Sequence, residues 1–180
     1  IIIGHLGRPF ATAEDEKNGH PSNLSAKPVA DWFEKELGQP VEFAQDLDQA
    51  QKSNSKFVLL ENIRFFHGEG PGAEYHATCT SKTCDVDFAK KLASLGEVYV
   101  NEAFSSCNKA ASTTMVPALL PHAAGLHFVK EVETLLKVRY NPKKPFVAVM
   151  GGAKAKDKLP VIEVLAKKAD AVLVGGSLIA

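Results

Sequence analysis

Short apolar runs alternate with longer amphipathic stretches along the whole chain, and the alternation predicts its elements. Runs rich in β-branched and aliphatic residues mark strands at 1–3, 41–44, 57–60, 97–100, 146–150 and 171–174. Between them lie segments of helical spacing. In "NLSAKPVADWFEKEL" the residues Val29, Trp32, Phe33 and Leu37 share one face, with Trp32 and Phe33 expected in the core. Ser25 is placed as the N-cap, Pro28 in the first turn and Gly38 as the stop. "VDFAKKLASLG" reads as a helix closed by Gly96, and "STTMVPALLPHAAG" as a short, proline-broken helical region. "LHFVKEVETLLKVRY" is the longest helical pattern, striped by Phe128, Val132, Leu135 and Leu136. "KDKLPVIEVLAKKA" is a further helix.

Strand and helix in turn, with strands apolar on both faces, define an α/β fold built on a parallel sheet covered on both sides. In such sheets ligands gather beyond the carboxyl ends of the strands. The polar residues collect there: His5 and Arg8 after the first strand, Glu61, Asn62 and Arg64 after "FVLL", Asn101 and Glu102 after "VYV". Gly151, Gly152 and Lys154 follow "FVAVM", and Gly175 and Gly176 follow "AVLV". The prolines of "RYNPKKPF" break the long helix and mark a boundary. The first four strands are expected in one sheet and the last two in another. The segment beyond the boundary is too short for an α/β domain. The chain is therefore expected to be cut at both ends, holding most of one domain, a connecting helix and the start of a second.

Composition narrows the function classes. The chain has 180 residues, 45% of them hydrophobic, with 21 basic and 21 acidic side chains and a formal net charge of zero. Nothing in that balance points to nucleic acid or an anionic membrane, and no apolar run is long enough to span a bilayer. Three cysteines suit a reduced, intracellular chain better than a disulfide scaffold. His76, Cys79 and Cys84 offer three local ligands, one short of a structural zinc site, and no metal site is assigned.

The chemistry lies in two places. In "IIIGHLGRP", Gly4 and Gly7 permit a tight turn, Arg8 presents a fork of donors and His5 an imidazole. With Arg64 of "ENIRF" they could form an anion pocket. The alternatives are a solvated surface turn and a salt bridge from Arg64 to Glu61 or Glu69. In "GGAKAKDK", Gly151 and Gly152 expose backbone N–H groups ahead of a helix, and Lys154 and Lys158 supply mobile positive charge. The spacing is not that of a Walker A loop, and a capped surface helix is the competing reading.

Taken together, "GHLGRP", "LLENIRF", "VYVNEAF", "LPHAAG", "VMGGAKAKDKLPVIEVL" and "VLVGGSLIA" resemble the signatures of phosphoglycerate kinase, in that family's order. The resemblance implies a Rossmann-like, three-layer α/β fold forming part of a two-domain kinase. Residues 1–125 would be the later part of the phosphoglycerate-binding domain, 126–142 the interdomain helix and 143–180 the start of the nucleotide-binding domain. His5, Leu6, Gly7, Arg8, Arg64 and Lys109 would hold 3-phosphoglycerate or 1,3-bisphosphoglycerate. Gly151, Gly152, Lys154, Lys158, Gly175 and Gly176 would hold ATP or ADP as its Mg2+ complex. Lys154 and Arg8 would act on the transferring phosphoryl group. A cytoplasmic monomer without nucleic-acid or membrane partners is expected. The pattern departs from the family in "SSCNKAASTT": Lys109 stands where an arginine is usual, Asn108 and Ala111 where histidines are, Ser105 where a glycine is. Glu102 replaces an aspartate and Ser177 a third glycine. A catalytically degenerate relative, kept as a binding or structural module, is the alternative these changes raise.

Overall fold

The computed structural model describes residues 1–7, 9, 21–70, 85–107, 110–152 and 155–178, without the side chains of 155–157 and 177. The chain forms two compact units, Ile1–Phe128 and Val129–Ala180.

In the first unit, strands β1 (Glu42–Ala44) and β2 (Val58–Leu60) pair in parallel, with Phe43 opposite Leu59. The opening apolar run joins the other side of β2. Ile2 N–H donates to the Val58 carbonyl at 2.7 Å, Leu60 N–H to the Ile2 carbonyl at 3.0 Å, and Ile2 bridges Leu59. Side chains alternate across this sheet. Val58 and Leu60 enter a cluster with Ile63, Phe88, Leu92, Ala111 and Val116. Leu59 enters a second cluster with Ala30 and Val41, against which Phe33 and Phe43 pack. The first cluster is covered by helix α3 (Val86–Ala93), the second by α1 (Lys27–Leu37), which gives three layers.

Helix α1 begins with proline in its first turn and ends at Gly38, left-handed at φ 60°. The cap differs from the expectation. Ala26 occupies the N-cap, and Ser25 Oγ accepts from Lys27 N–H at 3.2 Å. Glu61 reaches over from the end of β2 instead: Oε1 accepts from Ala26 N–H at 2.6 Å and Oε2 from Ser25 Oγ at 2.7 Å. A carboxylate at a helix start complements its dipole. Trp32 is not core. It is 55% exposed and meets the edge of Phe33, because the second cluster takes Ala30 and Phe33 from this helix.

Helix α2 (Leu47–Lys52) is capped by Asp46, whose carboxylate accepts from Gln49 N–H at 2.8 Å. Strand β3 (Tyr99–Asn101) corrects the predicted single sheet. It pairs not with β1 or β2 but with β4 (His122–Ala124), Tyr99 opposite His122. The proline-broken region is thus two short helices, α4 (Ala111–Thr114) and α5 (Val116–Leu119), leading into a strand. The sequence read "PHAAG" as helical because small residues carry no strand period. Helix α6 (Leu126–Tyr140) comes next, its start held by Glu102 Oε2, which accepts from His127 N–H at 2.9 Å and Phe128 N–H at 3.1 Å.

The second unit contains most of α6, then β5 (Val147–Met150), helix α7 (Ala155–Ala166, with Pro160 inside it) and β6 (Ala171–Val174). β5 and β6 pair in parallel, Val147 opposite Ala171, in a sheet of their own. Asp170 ties the lower edge: its carboxylate accepts from Lys144 Nζ at 2.9 Å and Phe146 N–H at 2.6 Å.

Candidate functional site

Two clusters of polar groups stand at carboxyl ends of parallel strands. The first lies where Ile1–Ile3 and β2 end. The turn 4–7 needs glycine at position 7: its φ is +60°, and a Cβ there would fall 2.6 Å from Leu24 Cδ2. Asn62, fully buried, pins this turn from the side. Its Oδ1 accepts from Leu6 N–H at 3.2 Å, and its Nδ2 donates to the carbonyls of Leu6 at 2.7 Å and Leu24 at 2.9 Å. Asn62 Oδ1 also accepts from Arg64 N–H at 3.2 Å and so caps the 3₁₀ turn Ile63–Phe65 that carries Arg64. The Arg64 guanidinium then donates through Nη1 to the Gly7 carbonyl. Arg64 and the glycine turn are therefore side by side.

His5 turns to a different partner. Its Nε2 lies 2.5 Å from Oε1 of Glu69, a carboxylate only 1% exposed. Glu69 also accepts from Ser112 N–H at 2.9 Å through Oε2 and from Ser112 Oγ at 2.5 Å through Oε1. The neighbouring Tyr99 registers the buried charge: burial pushes its phenol up to about 12, and the charges of Glu69 and Cys107 add to the effect. Sequence reasoning entered Glu69 only as a salt-bridge partner for Arg64. The signal that could have found it is the pairing of an acidic residue with Gly68, which lets the backbone press against Phe88. A Cβ at position 68 would sit 2.3 Å from Phe88 Cβ. Arg8 and Lys109, expected in the same cluster, lie outside the described residues.

The second cluster lies where β5 and β6 end. Gly175 N–H donates to the Met150 carbonyl at 2.9 Å, and a Cβ on Gly151 would stand 3.8 Å from the Gly175 carbonyl, so the two glycine loops are neighbours. Gly152 has φ +137° and Gly176 φ +66°, conformations that L side chains rarely adopt. The Lys158 side chain crosses Gly152: a Cβ there would meet Lys158 Cε at 3.6 Å. Gly151, Gly152, Lys158, Gly175 and Gly176 are thus gathered, while Lys154 lies outside the described residues. Open backbone with one lysine suits a phosphate chain. Among the described residues no three His, Cys, Asp or Glu side chains form a metal-binding group, and His76, Cys79 and Cys84 lie outside them. No helix among the described residues is long and apolar enough to cross a membrane.

Glycine turns and cationic side chains thus stand at the ends of parallel strands in an α/β protein. The sequence profile described as phosphoglycerate kinase matches residues 1–180, and the chain belongs to that family. It is 39% identical over 180 residues to a phosphoglycerate kinase of Desulfovibrio desulfuricans, covering 99% of this chain and 42% of that protein. A Dictyoglomus turgidum phosphoglycerate kinase is 38% identical over 186 residues, with the same coverage. Phosphoglycerate kinase from Coxiella burnetii superposes with a TM-score of 0.71 at 32% identity, over 97% of this chain and 41% of that one. The chain thus spans less than half the length of these relatives.

Proposed function

We propose that residues 1–180 form part of an active phosphoglycerate kinase, which moves a phosphoryl group between 1,3-bisphosphoglycerate and ADP and so gives 3-phosphoglycerate and ATP in glycolysis. Residues 1–125 serve the phosphoglycerate, 126–142 connect, and 143–180 begin the nucleotide side. The observation that carries this reading is the glycine cluster under Lys158, a backbone cradle at two parallel strand ends, in a chain whose family is named for this reaction.

On the acid side, Leu6 and Gly7 offer backbone and Arg64 offers its guanidinium. Arg8 and Lys109 supply further positive charge, and His5 an imidazole. On the nucleotide side, Gly151, Gly152, Gly175 and Gly176 let the phosphates approach, with Lys158 on the chain of phosphates and Lys154 at the group in flight. Magnesium arrives on the nucleotide and offsets phosphate charge. Phosphoryl transfer demands positioning and charge neutralisation more than covalent chemistry, and these groups supply both. The enzyme acts as a cytoplasmic monomer on small molecules.

A coupled assay of 3-phosphoglycerate and MgATP turnover, on the complete polypeptide carrying this sequence, tests the reading. Turnover is expected, with Lys109→Arg preserving or raising it and Lys109→Ala lowering it, since lysine keeps a charge but not a bidentate fork. A folded protein that binds neither substrate would instead be a degenerate relative that kept only the fold.

A further inference from the structure

We propose that Glu69 is a positioning residue for phosphoglycerate binding: its buried carboxylate holds the His5 imidazole and the start of helix α4 in fixed relation. This inference rests on the functional reading above, in which His5 touches the substrate.

The geometry carries it. Glu69 is reached from two separate segments, by His5 from the 4–7 turn and by Ser112 from α4. Both its oxygens are used, Oε1 being shared by His5 Nε2 and Ser112 Oγ, each at 2.5 Å. Glu69 itself sits on a tightly packed turn. It closes the 3₁₀ turn His67–Glu69, whose Gly68 is pressed against Phe88. Helix α4 begins two residues after Lys109, so one carboxylate spans the sequence neighbourhoods of two residues assigned to the substrate.

A neutral acceptor would suffice to bridge a turn and a helix. Burying a full charge costs free energy unless a partner offsets it. Of the groups bonded to Glu69, the His5 ring is the one able to carry positive charge. A carboxylate here does something a glutamine would not: it orients the ring through a charge-assisted bond and fixes which nitrogen faces inward. Nδ1 is then the ring nitrogen turned away from Glu69. Tyr99 and Cys107 add no cation to the site, and Arg64 is directed at the Gly7 carbonyl.

The test is a double-mutant cycle on the complete protein, read as separate KM values for 3-phosphoglycerate and MgATP. His5→Ala is expected to raise KM for 3-phosphoglycerate about tenfold or more. Glu69→Gln should raise the same KM by a similar factor, leaving KM for MgATP within about twofold. In the His5→Ala background, Glu69→Gln should then change nothing further beyond about twofold. Glu69→Asp, which keeps the charge, should recover part of the loss and also serves as the probe if Glu69→Gln does not fold. Equal effects of Glu69→Gln with and without His5, or a parallel loss in both KM values and in Tm, would overturn the positioning role. If His5→Ala itself left KM for 3-phosphoglycerate unchanged, the assignment of His5 to the substrate would fall first.

Discussion

The two clusters of polar groups are built from different materials. On the first, side chains do the shaping: Asn62, Glu61 and Glu69 are bonded to backbone and side chains from other segments, above a core whose Leu60 is 0% exposed. On the second, backbone does it. Gly151, Gly152, Gly175 and Gly176 form the surface, β5 buries Ala148, and Val149 and Leu173 stand 77% and 56% exposed. The difference matches the anions proposed for each. A small carboxylate-and-phosphate ligand is told from others by directed donors at fixed separation. A chain of phosphates needs close approach and evenly spread N–H groups, which Cβ atoms would obstruct.

Three substitutions probe this contrast. The largest effect is expected from Leu60→Ala, which empties a fully buried position beneath the first cluster. It should lower unfolding free energy by about 2–5 kcal/mol in a denaturant titration. Next is Gly68→Ala, whose methyl would collide with Phe88. It should cost about 1–3 kcal/mol and weaken 3-phosphoglycerate binding with it, since Glu69 is displaced. The smallest is Asp170→Asn, on the second unit. The bond from Lys144, then the Phe146 amide, holds the Asp170 carboxyl below its ordinary range. A depressed carboxyl adds stability above its unfolded value of about 3.9, and that stability is lost as pH falls through the folded value. The wild type should therefore lose slightly more stability below about pH 4 than Asp170→Asn. Identical acid limbs in pH-dependent thermal melts would remove Asp170 from the account.

The same contrast explains what could be read in the sequence. Strands with a clear apolar run, such as 57–60 and 146–150, were legible, as was Gly38, because local rules decide them. So was the place of the glycine pairs 151–152 and 175–176, directly after β5 and β6. What escaped was tertiary. Glu61 capping a distant helix, Asn62 clamping the 4–7 turn and Glu69 under His5 all join residues more than thirty positions apart. β4 was missed because His122, Ala123 and Ala124 carry no period, and its pairing with β3 is a tertiary contact. Trp32 was placed inside because helical spacing names a face without saying how far the core reaches along it.

In the proposed function, directed side chains such as Arg64 dominate on the acid side, and the glycine backbone beside Lys158 dominates on the nucleotide side. Titration of the complete protein with 3-phosphoglycerate alone, then with MgATP alone, tests this division most directly. Arg64→Ala should weaken 3-phosphoglycerate by about 1.5–3 kcal/mol and spare MgATP. Gly152→Ala, forced to hold φ +137° with a side chain, should do the reverse. Equal weakening of both ligands by either variant would contradict the account.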